Sequence, residues 1–347
     1  MKRLLLVLAG VALVAPGAAR AAACTPLDCA PSQFSVPGTS LVGYRASALG
    51  RITVSDLRTG AKRYVLPGGY VDGHRLVRQD ARMLTWYDLR TGRRTASTTL
   101  PWAIRLAGAS QDGTRAVAFR PRSVVIATAH AWRQVPLATA STKWGFDALR
   151  GSNLFLIRYL RTGGYQVRVV DLSSDSAPSR TIKDPRESAT IWGAPASRLA
   201  SADGRYLFTL YVASNGAAMV HELDVVHATA RCIDLPGTGD YNSGNDWSLA
   251  LAPGGRTLWA ANAGYAHLVG IDVATRKVVA AHPLDLPYWN VANTTRAAVS
   301  PDGTQVALTD GETVARVRLD DGKLLARTKL RARAVGCAPA GTLRMLR

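Results

Sequence analysis

Short runs of alternating hydrophobic and polar residues follow one another along the chain, separated by turns that contain glycine. Between Arg296 and Leu330 the runs read "RAAVS", "TQVALT", "TVARVRL" and "KLLARTKL". Alternation with a period of two predicts β-strands. Asp302-Gly303 and Asp321-Gly322 separate these runs, and Asp-Gly is typical of two-residue hairpin turns, in which both residues need positive φ. The pattern therefore predicts four antiparallel strands joined by tight turns.

The same unit recurs along the chain. The distance from Gly254 to Asp272 is 18 residues, and the distance from Asp302 to Asp320 is again 18. The pattern predicts seven copies of the second hairpin of the unit, starting near Ile52, Met83, Ser123, Tyr165, Met219, His267 and Thr313. A period of about 40 to 50 residues with four short strands per unit is typical of a β-propeller. Radial packing of the units would bury the two apolar faces that each sheet exposes alone.

The last 150 residues, approximately, resemble the secreted bacterial propellers of the YVTN type. The resemblance rests on "SPDGTQVALTDGETVARVRLDDGKLLARTKL" and "GIDVATRKVVAAHPL", which follow that family's Ser-Pro-Asp-Gly and Asp-x-x-Thr-x-Lys-Val-Val pattern. The Tyr-Val-x-Asn strand of the family is reduced to one related copy, Leu258 to Asn262. The resemblance implies an exported WD40-like propeller. It implies no particular activity, because proteins of this fold differ in function.

The predicted fold is all-β, a seven-bladed propeller of four-stranded antiparallel blades. We expect residues 1–23 to be a signal peptide, 24–38 an N-terminal segment, and 39–347 a single propeller domain. A further hairpin, at Ala334 to Leu346, is expected to pair with strands around Phe34 to Tyr44 and close the ring. This closure would bring Cys337 near Cys24 or Cys29.

The first residues indicate export from the cell. Lys2-Arg3 precedes an apolar stretch, Leu4 to Val14, which is too short to span a bilayer and is followed by small residues at 21–23. We expect the mature chain to be a monomer in the periplasm or at the cell surface, without a transmembrane helix. Acylation at Cys24 is a less favoured alternative. The cysteines Cys24, Cys29, Cys232 and Cys337 allow three disulfide pairings.

The charge of the chain is strongly positive, with 43 Lys and Arg against 24 Asp and Glu. Such a surface attracts anionic polymers in a salt-dependent way, so anionic polymers of the cell envelope are possible partners. No run of five basic residues and no nucleic-acid-binding motif is present, so specific nucleic-acid binding is not expected.

The long connections between blades are the predicted binding surface. Five tryptophans, Trp102, Trp144, Trp192, Trp247 and Trp289, each come shortly before the first strand of a blade. They either pack between blades or line an aromatic mouth for a sugar, peptide or other flat ligand. The ligand-binding candidates are Trp144, Trp192, Trp247, Trp289, Tyr241, Tyr288, Asp240, Asn242, Asn245, Asp246 and Asn290.

No catalytic motif emerges from the sequence. His221-Glu222 begins like a zinc-protease motif, but Val225 stands where the second histidine must be. We therefore expect a non-catalytic binding scaffold for a protein, peptide or glycan, with no cofactor. The alternative is a metal-dependent lactonase or other hydrolase with its site at the central channel. The candidate metal ligands for that enzyme are Asp147, Glu187, Asp240 and Asp246.

Overall fold

The structure is a computed structural model that describes residues 33–35, 41–45, 51–56, 62–72, 74–137, 144–161, 164–174, 177–187, 190–201, 203–213, 215–238, 247–262, 267–286, 296–300, 302–309 and 313–329. These residues are almost entirely strands and turns, with one short 3-10 turn at Pro253–Gly255. In the part of the chain so described, no helix is long and apolar enough to cross a membrane.

The described strands form seven antiparallel sheets, each built from consecutive strands in chain order. We number the sheets 1 to 7 along the chain: β1–β4, β5–β8, β9–β12, β13–β17, β18–β21, β22–β25 and β26–β29. The strands are β1 Gln33–Ser35, β2 Leu41–Arg45, β3 Ile52–Asp56, β4 Lys62–Leu66, β5 Tyr70–Asp72, β6 Arg75–Asp80, β7 Met83–Asp88, β8 Arg94–Thr99, β9 Leu106–Ala109, β10 Ala116–Arg120, β11 Ser123–Ala127, β12 Trp132–Pro136, β13 Gly145–Arg150, β14 Asn153–Tyr159, β15 Gly164–Asp171, β16 Ser179–Ile182, β17 Ile191–Trp192, β18 Ala194–Ala200, β19 Tyr206–Val212, β20 Ala217–Asp224, β21 Thr229–Thr238, β22 Trp247–Leu251, β23 Thr257–Asn262, β24 His267–Asp272, β25 Lys277–Pro283, β26 Arg296–Val299, β27 Gln305–Thr309, β28 Thr313–Arg318 and β29 Leu324–Lys329. Sheet 4 alone has a fifth strand, because β17 pairs with the start of β15.

The repeat predicted from the sequence is confirmed. The third strands of the seven sheets, which open the second hairpins, begin at Ile52, Met83, Ser123, Gly164, Ala217, His267 and Thr313. Each lies within two residues of its predicted position. Sheet 1 takes all its described strands from residues 33–66 and begins inside the segment predicted to precede the propeller. The predicted C-terminal hairpin at 334–346 lies outside the described residues, so ring closure stays a prediction.

Each hydrophobic core of the described chain is shared by two successive sheets. The six clusters join sheets 1 and 2, 2 and 3, 3 and 4, 4 and 5, 5 and 6, and 6 and 7. The middle strands are therefore buried on both faces: every residue of β11 is buried. Outer strands such as β12 are mostly exposed, as expected at the edge of a sheet.

The first strands of sheets 2 to 7 lie side by side, and hydrogen bonds between those of sheets 2, 3 and 4 show that they run in the same direction. The Tyr70 hydroxyl donates to the Leu106 carbonyl at 3.1 Å, which joins the starts of β5 and β9. The Gln111 amide donates to the Leu149 carbonyl at 3.3 Å, near the ends of β9 and β13. The sheets consequently share one face, at the ends where the first strands begin. We call it the link face, because it carries the segments that join one sheet to the next.

Arginine side chains on the fourth strands form hydrogen bonds to the next sheet. Arg133 on β12 donates to the Leu172 carbonyl at 3.0 Å, and Arg180 on β16 donates to the Ala228 carbonyl at 2.9 Å. In both cases a fourth strand reaches the turn between the third and fourth strands of the next sheet. Part of the arginine content is therefore committed to joining sheets.

The Asp-Gly turns differ from the predicted two-residue form. Ser300 pairs with Gln305, so the loop contains four residues, and only Gly303 has a positive φ, of 73°. Asp302 instead accepts from the Ser300 hydroxyl and from the Thr304 amide, at 3.1 Å for the amide. Its carboxylate therefore stabilises the loop through local hydrogen bonds. The turns that begin at Ser110 and Ser201 have the same bonds, with Gly113 and Gly204 at positive φ.

We predict that Gly303→Ala lowers the free energy of unfolding by about 1–2 kcal/mol, the cost of a left-handed conformation for a residue with a Cβ. The nearest atom to that Cβ would be Pro253 Cδ at 3.8 Å, so steric conflict adds nothing. Gly303→Asn, which tolerates this conformation, should cost less. Urea unfolding of the three proteins measures the difference, and equal losses for the two variants would contradict a conformational cause.

Candidate functional site

The tryptophans predicted to act alike occupy different environments. Trp144 and Trp247 are only 7% and 3% exposed, whereas Trp192 is 54% exposed. Trp102 packs edge-on against Trp132 of sheet 3, with ring centroids 4.8 Å apart. Trp289 lies outside the described residues. The four described tryptophans therefore do not share one environment.

The structure places two of the candidate residues in the cores between sheets. Trp144 belongs to the core of sheets 3 and 4, where the guanidinium groups of Arg158 and Arg168 each lie 5.2 Å from its ring. Trp247 belongs to the core of sheets 5 and 6. Because both rings are covered by protein, neither offers a face to a ligand.

The polar cluster predicted in the links before β22 and β26 lies outside the described residues. With Trp289, eight of the candidates lie outside the described residues; the other seven are Asp240, Tyr241, Asn242, Asn245, Asp246, Tyr288 and Asn290. Of the eleven ligand-binding candidates, Trp192 is thus the described residue with an open aromatic face.

Trp192 is held at the link face by the extra strand of sheet 4. It pairs with Gly164, and its neighbour Ile191 pairs with Tyr165. A Cβ at Gly164 would lie 2.8 Å from Thr190 Cγ2 and 3.5 Å from a carbon of the Trp192 ring. The absence of a side chain at Gly164 therefore lets β17 approach closely and keeps the indole against the sheet.

A row of hydrogen bonds runs across the sheet beside this indole. Arg158 donates to the Gln166 side-chain oxygen at 2.7 Å, and the Gln166 amide donates to the Thr190 hydroxyl at 3.2 Å. Residues at alternate positions of a strand share a face, so Thr190 and Trp192 lie on the same side of β17. An exposed indole beside fixed polar side chains is a typical composition of a ligand-binding surface.

Behind this surface, a buried ion pair joins the first strands of sheets 4 and 5. Asp147 is the extra residue of a β-bulge in β13, and such bulges redirect side chains. Its carboxylate lies 2.6 Å from the Arg198 guanidinium, which also donates to the Asp147 carbonyl at 2.9 Å. Burial lowers the pKa of Arg198, but the charge and hydrogen bond of Asp147, together with the nearby Tyr211 and Tyr159, outweigh this and the net pKa is raised.

Two tyrosines and a histidine pack close to this pair. The rings of Tyr165 and Tyr211 stack with centroids 4.0 Å apart, and His221 meets both edge-on. Burial raises the pKa of both tyrosines well above the ordinary value. Burial also lowers the pKa of His221 to about 4, against a partly compensating effect of Asp147. The histidine is therefore neutral at physiological pH.

This arrangement changes the interpretation of the candidate metal ligands. The carboxylate of Asp147 is already bound by Arg198. Glu187 is exposed, and Asp240 and Asp246 lie outside the described residues. Within the described ranges, no three His, Cys, Asp or Glu residues come together in a way that could hold a metal ion.

Cys232 is buried in the core of sheets 4 and 5 and is not in a disulfide. Burial raises the pKa of its thiol to about 12, with the charge of Asp184 acting in the same direction. The thiol is therefore protonated and a weak nucleophile at neutral pH. Cys24, Cys29 and Cys337 lie outside the described residues, so the predicted pairing remains a prediction.

The sequence analysis named Asp147 only as a candidate metal ligand, and it did not indicate its partner Arg198 or the polar residues beside Trp192. Asp147, Gln166 and Arg198 come from three different strands and carry no motif. Their only local signal is that they interrupt apolar runs. Their partners follow from the packing of one sheet on the next.

Comparisons with known proteins find similarity among solved structures. No family model and no curated protein matches the chain. Among solved structures, the dihydro-heme d1 dehydrogenase NirN is 14% identical, with 88% of this chain and 66% of that chain covered and a TM-score of 0.50. The β-propeller domain of Myceliophteria thermophila Cps50 (Swd1) is 12% identical, with 86% and 94% covered and a TM-score of 0.48.

BamB from Moraxella catarrhalis is 14% identical, with 87% of this chain and 92% of that chain covered and a TM-score of 0.43. These likenesses concern the fold alone. The described sheets of consecutive antiparallel strands, with each core shared by two successive sheets, are the arrangement of an all-β protein of the β-propeller class.

We predict that the stability of the protein falls as the pH drops from about 6.5 toward 4, because the unfolded chain protonates His221 and the folded chain does not. The slope from this one group is at most about 1.4 kcal/mol per pH unit. The variant His221→Gln should be less sensitive over this range. Unfolding curves at several pH values measure the difference between the two proteins, and parallel curves would contradict the assignment.

We predict that Arg198→Met destabilises the protein by about 3–5 kcal/mol, because it leaves Asp147 buried without its partner. The double variant Asp147→Leu/Arg198→Met should recover part of this loss, since no unpaired charge remains. A double-mutant cycle in urea tests the coupling. Additive losses would show that the two side chains do not stabilise each other.

Proposed function

We propose that this protein is an exported, non-catalytic β-propeller that binds a glycan through its link face, with Trp192 as the central contact. One observation carries the proposal: Trp192 holds an open indole face on a fixed strand beside the Arg158–Gln166–Thr190 row. A flat apolar ring beside hydrogen-bonding groups suits a sugar, which has both apolar and hydroxyl surfaces.

A second aromatic side chain lies at the same end of sheet 4. Tyr159, on the neighbouring strand β14, is 47% exposed, and its ring lies 6.4 Å from that of Tyr165. The face of the sheet that carries Tyr159 is opposite to that of Trp192. The ligand surface would therefore extend across the link-face end of sheet 4, from one face of the sheet to the other.

We further propose that the sheets close into a ring of seven blades. Among the described residues, each shared core joins one sheet to the next, and none joins sheet 7 to sheet 1. Closure would cover the remaining apolar faces of these two sheets. Export is supported by the N-terminal sequence, in which a basic pair precedes a short apolar stretch and small residues.

We predict that Trp192→Ala weakens glycan binding at least tenfold, the minimum expected for loss of a central aromatic contact. The probe is an array of bacterial and host glycans, with positive sugars confirmed by calorimetry. Trp192→Phe should keep most of the affinity, because it keeps an aromatic face.

The matched control is Trp132→Ala, which removes a partly exposed indole at the start of β12 in sheet 3, a different sheet from the one that carries Trp192. It should bind like the unchanged protein. Absence of binding to every glycan, or equal binding by Trp192→Ala, would refute the proposal.

A further inference from the structure

A second concave surface lies at the link face, between sheets 1, 2 and 3. It is a pocket of about 440 Å³, a size typical of sites for small organic ligands. Its charged side chains are Arg51, Arg78 and Arg105. Arg51 and Arg105 directly precede β3 and β9, and Arg78 lies in the middle of β6. Three positive groups from three sheets therefore surround one cavity.

The walls of this pocket are fixed by hydrogen bonds and close packing. The Gln79 side chain accepts from the Leu106 amide at 2.7 Å and donates to the Ile104 carbonyl, so it holds the backbone on both sides of Arg105. A Cβ at Gly69 would lie 2.5 Å from the Val77 carbonyl oxygen. The segment before β5 is thus pressed against β6, and the arginines project from a rigid frame.

The neutral polar groups of the pocket are already engaged in this frame. Gln79 uses both ends of its amide, and the Tyr70 hydroxyl donates to the Leu106 carbonyl. The nearby acid, Asp80, lies 3.7 Å from Arg78, and both side chains are well exposed. Arg51 and Arg105 form no ion pair with any residue that the structure describes. The pocket therefore has a net positive charge.

Arginines elsewhere in the chain contrast with this group. Arg198, Arg205 and Arg276 each lie within 3 Å of a carboxylate oxygen. Arg133 and Arg180 instead donate to carbonyls of the next sheet. Arg51 and Arg105 have no such partner among the described residues, and Arg78 has only the exposed Asp80. Guanidinium groups around one cavity repel one another, and an anion with several oxygens relieves this repulsion through charge-assisted hydrogen bonds.

We propose that this pocket binds the phosphate group of a small organic ligand or of a lipid headgroup. A phosphate ester carries enough oxygens to accept from several guanidinium groups at once. The remaining cavity, lined by Pro67, Val77 and Leu106, is open to the organic part of the molecule. This site is separate from the Trp192 surface and does not depend on glycan binding there.

The test uses calorimetry with glycerol 3-phosphate, and cosedimentation with phosphatidylglycerol vesicles, both at 0.15 M salt where exposed charges are screened. Glycerate, which has a carboxylate, and phosphatidylcholine vesicles are the comparison probes. The variants are Arg51→Gln and Arg105→Gln. The matched control is Arg90→Gln, which removes an equal charge from an exposed residue in the turn between β7 and β8 of sheet 2.

We expect Arg51→Gln and Arg105→Gln each to raise the Kd about tenfold, the loss for a hydrogen bond between charged groups. Arg90→Gln and Trp192→Ala should leave the Kd for the phosphate probes unchanged. Binding to glycerol 3-phosphate identifies a soluble ligand, and binding to phosphatidylglycerol alone identifies a headgroup.

Three results would overturn the proposal: no binding to either phosphate probe, equal binding of glycerate, or an equal loss in Arg90→Gln. The last result would assign the attraction to overall charge rather than to the pocket. The arginine variants leave Trp192 intact. A failure of the phosphate-binding proposal is therefore distinguishable from a failure of the glycan-binding proposal.

Discussion

Each sheet of this protein has two apolar faces, and only a neighbouring sheet covers them. A single sheet of this kind would expose rows of Val, Leu and Ile to water on both sides, which a small domain cannot tolerate. The six described cores are each shared by two successive sheets, so no sheet has a core of its own. The common direction of the first strands follows from this packing, and with it the single link face at which Trp192 and the arginine pocket are found.

The arginine side chains of this protein occupy two kinds of environment. Where sheets meet, arginines are neutralised: Arg198 binds Asp147 between sheets 4 and 5, and Arg276 binds Glu222 between sheets 5 and 6. Buried pairs of this kind add little net stability compared with apolar residues, but breaking one is costly, so they favour a single alignment of the sheets. At the link face, Arg51 and Arg105 remain exposed beside a cavity. The high positive charge of the sequence therefore comes both from arginines that join sheets and from arginines that line the pocket, and composition alone cannot separate the two groups.

Local features explain which predictions from the sequence were accurate. The starts of the third strands were predicted within two residues, because alternation and Gly-containing turns are local signals. The predicted two-residue form of the Asp-Gly turns was wrong. Ser300 and Asp302 hydrogen-bond to each other, and the loop contains four residues. For the tryptophans, the position in the repeat did not predict whether the side chain is buried. Trp144, Trp192 and Trp247 have similar positions in the repeat, yet the first and last are buried and Trp192 is open, because β17 adds to sheet 4 only.

The sequence by itself determined the class of fold, the number of described four-stranded units and the positions of their second hairpins. These depend on alternation and turn chemistry within a few residues of one another. Only the tertiary structure decided which side chains are partners: Asp147 with Arg198, Gln166 with Thr190, and the three arginines of the pocket. Those residues are brought together by the packing of separate sheets, and such packing depends on the summed shape of many side chains rather than on any local pattern.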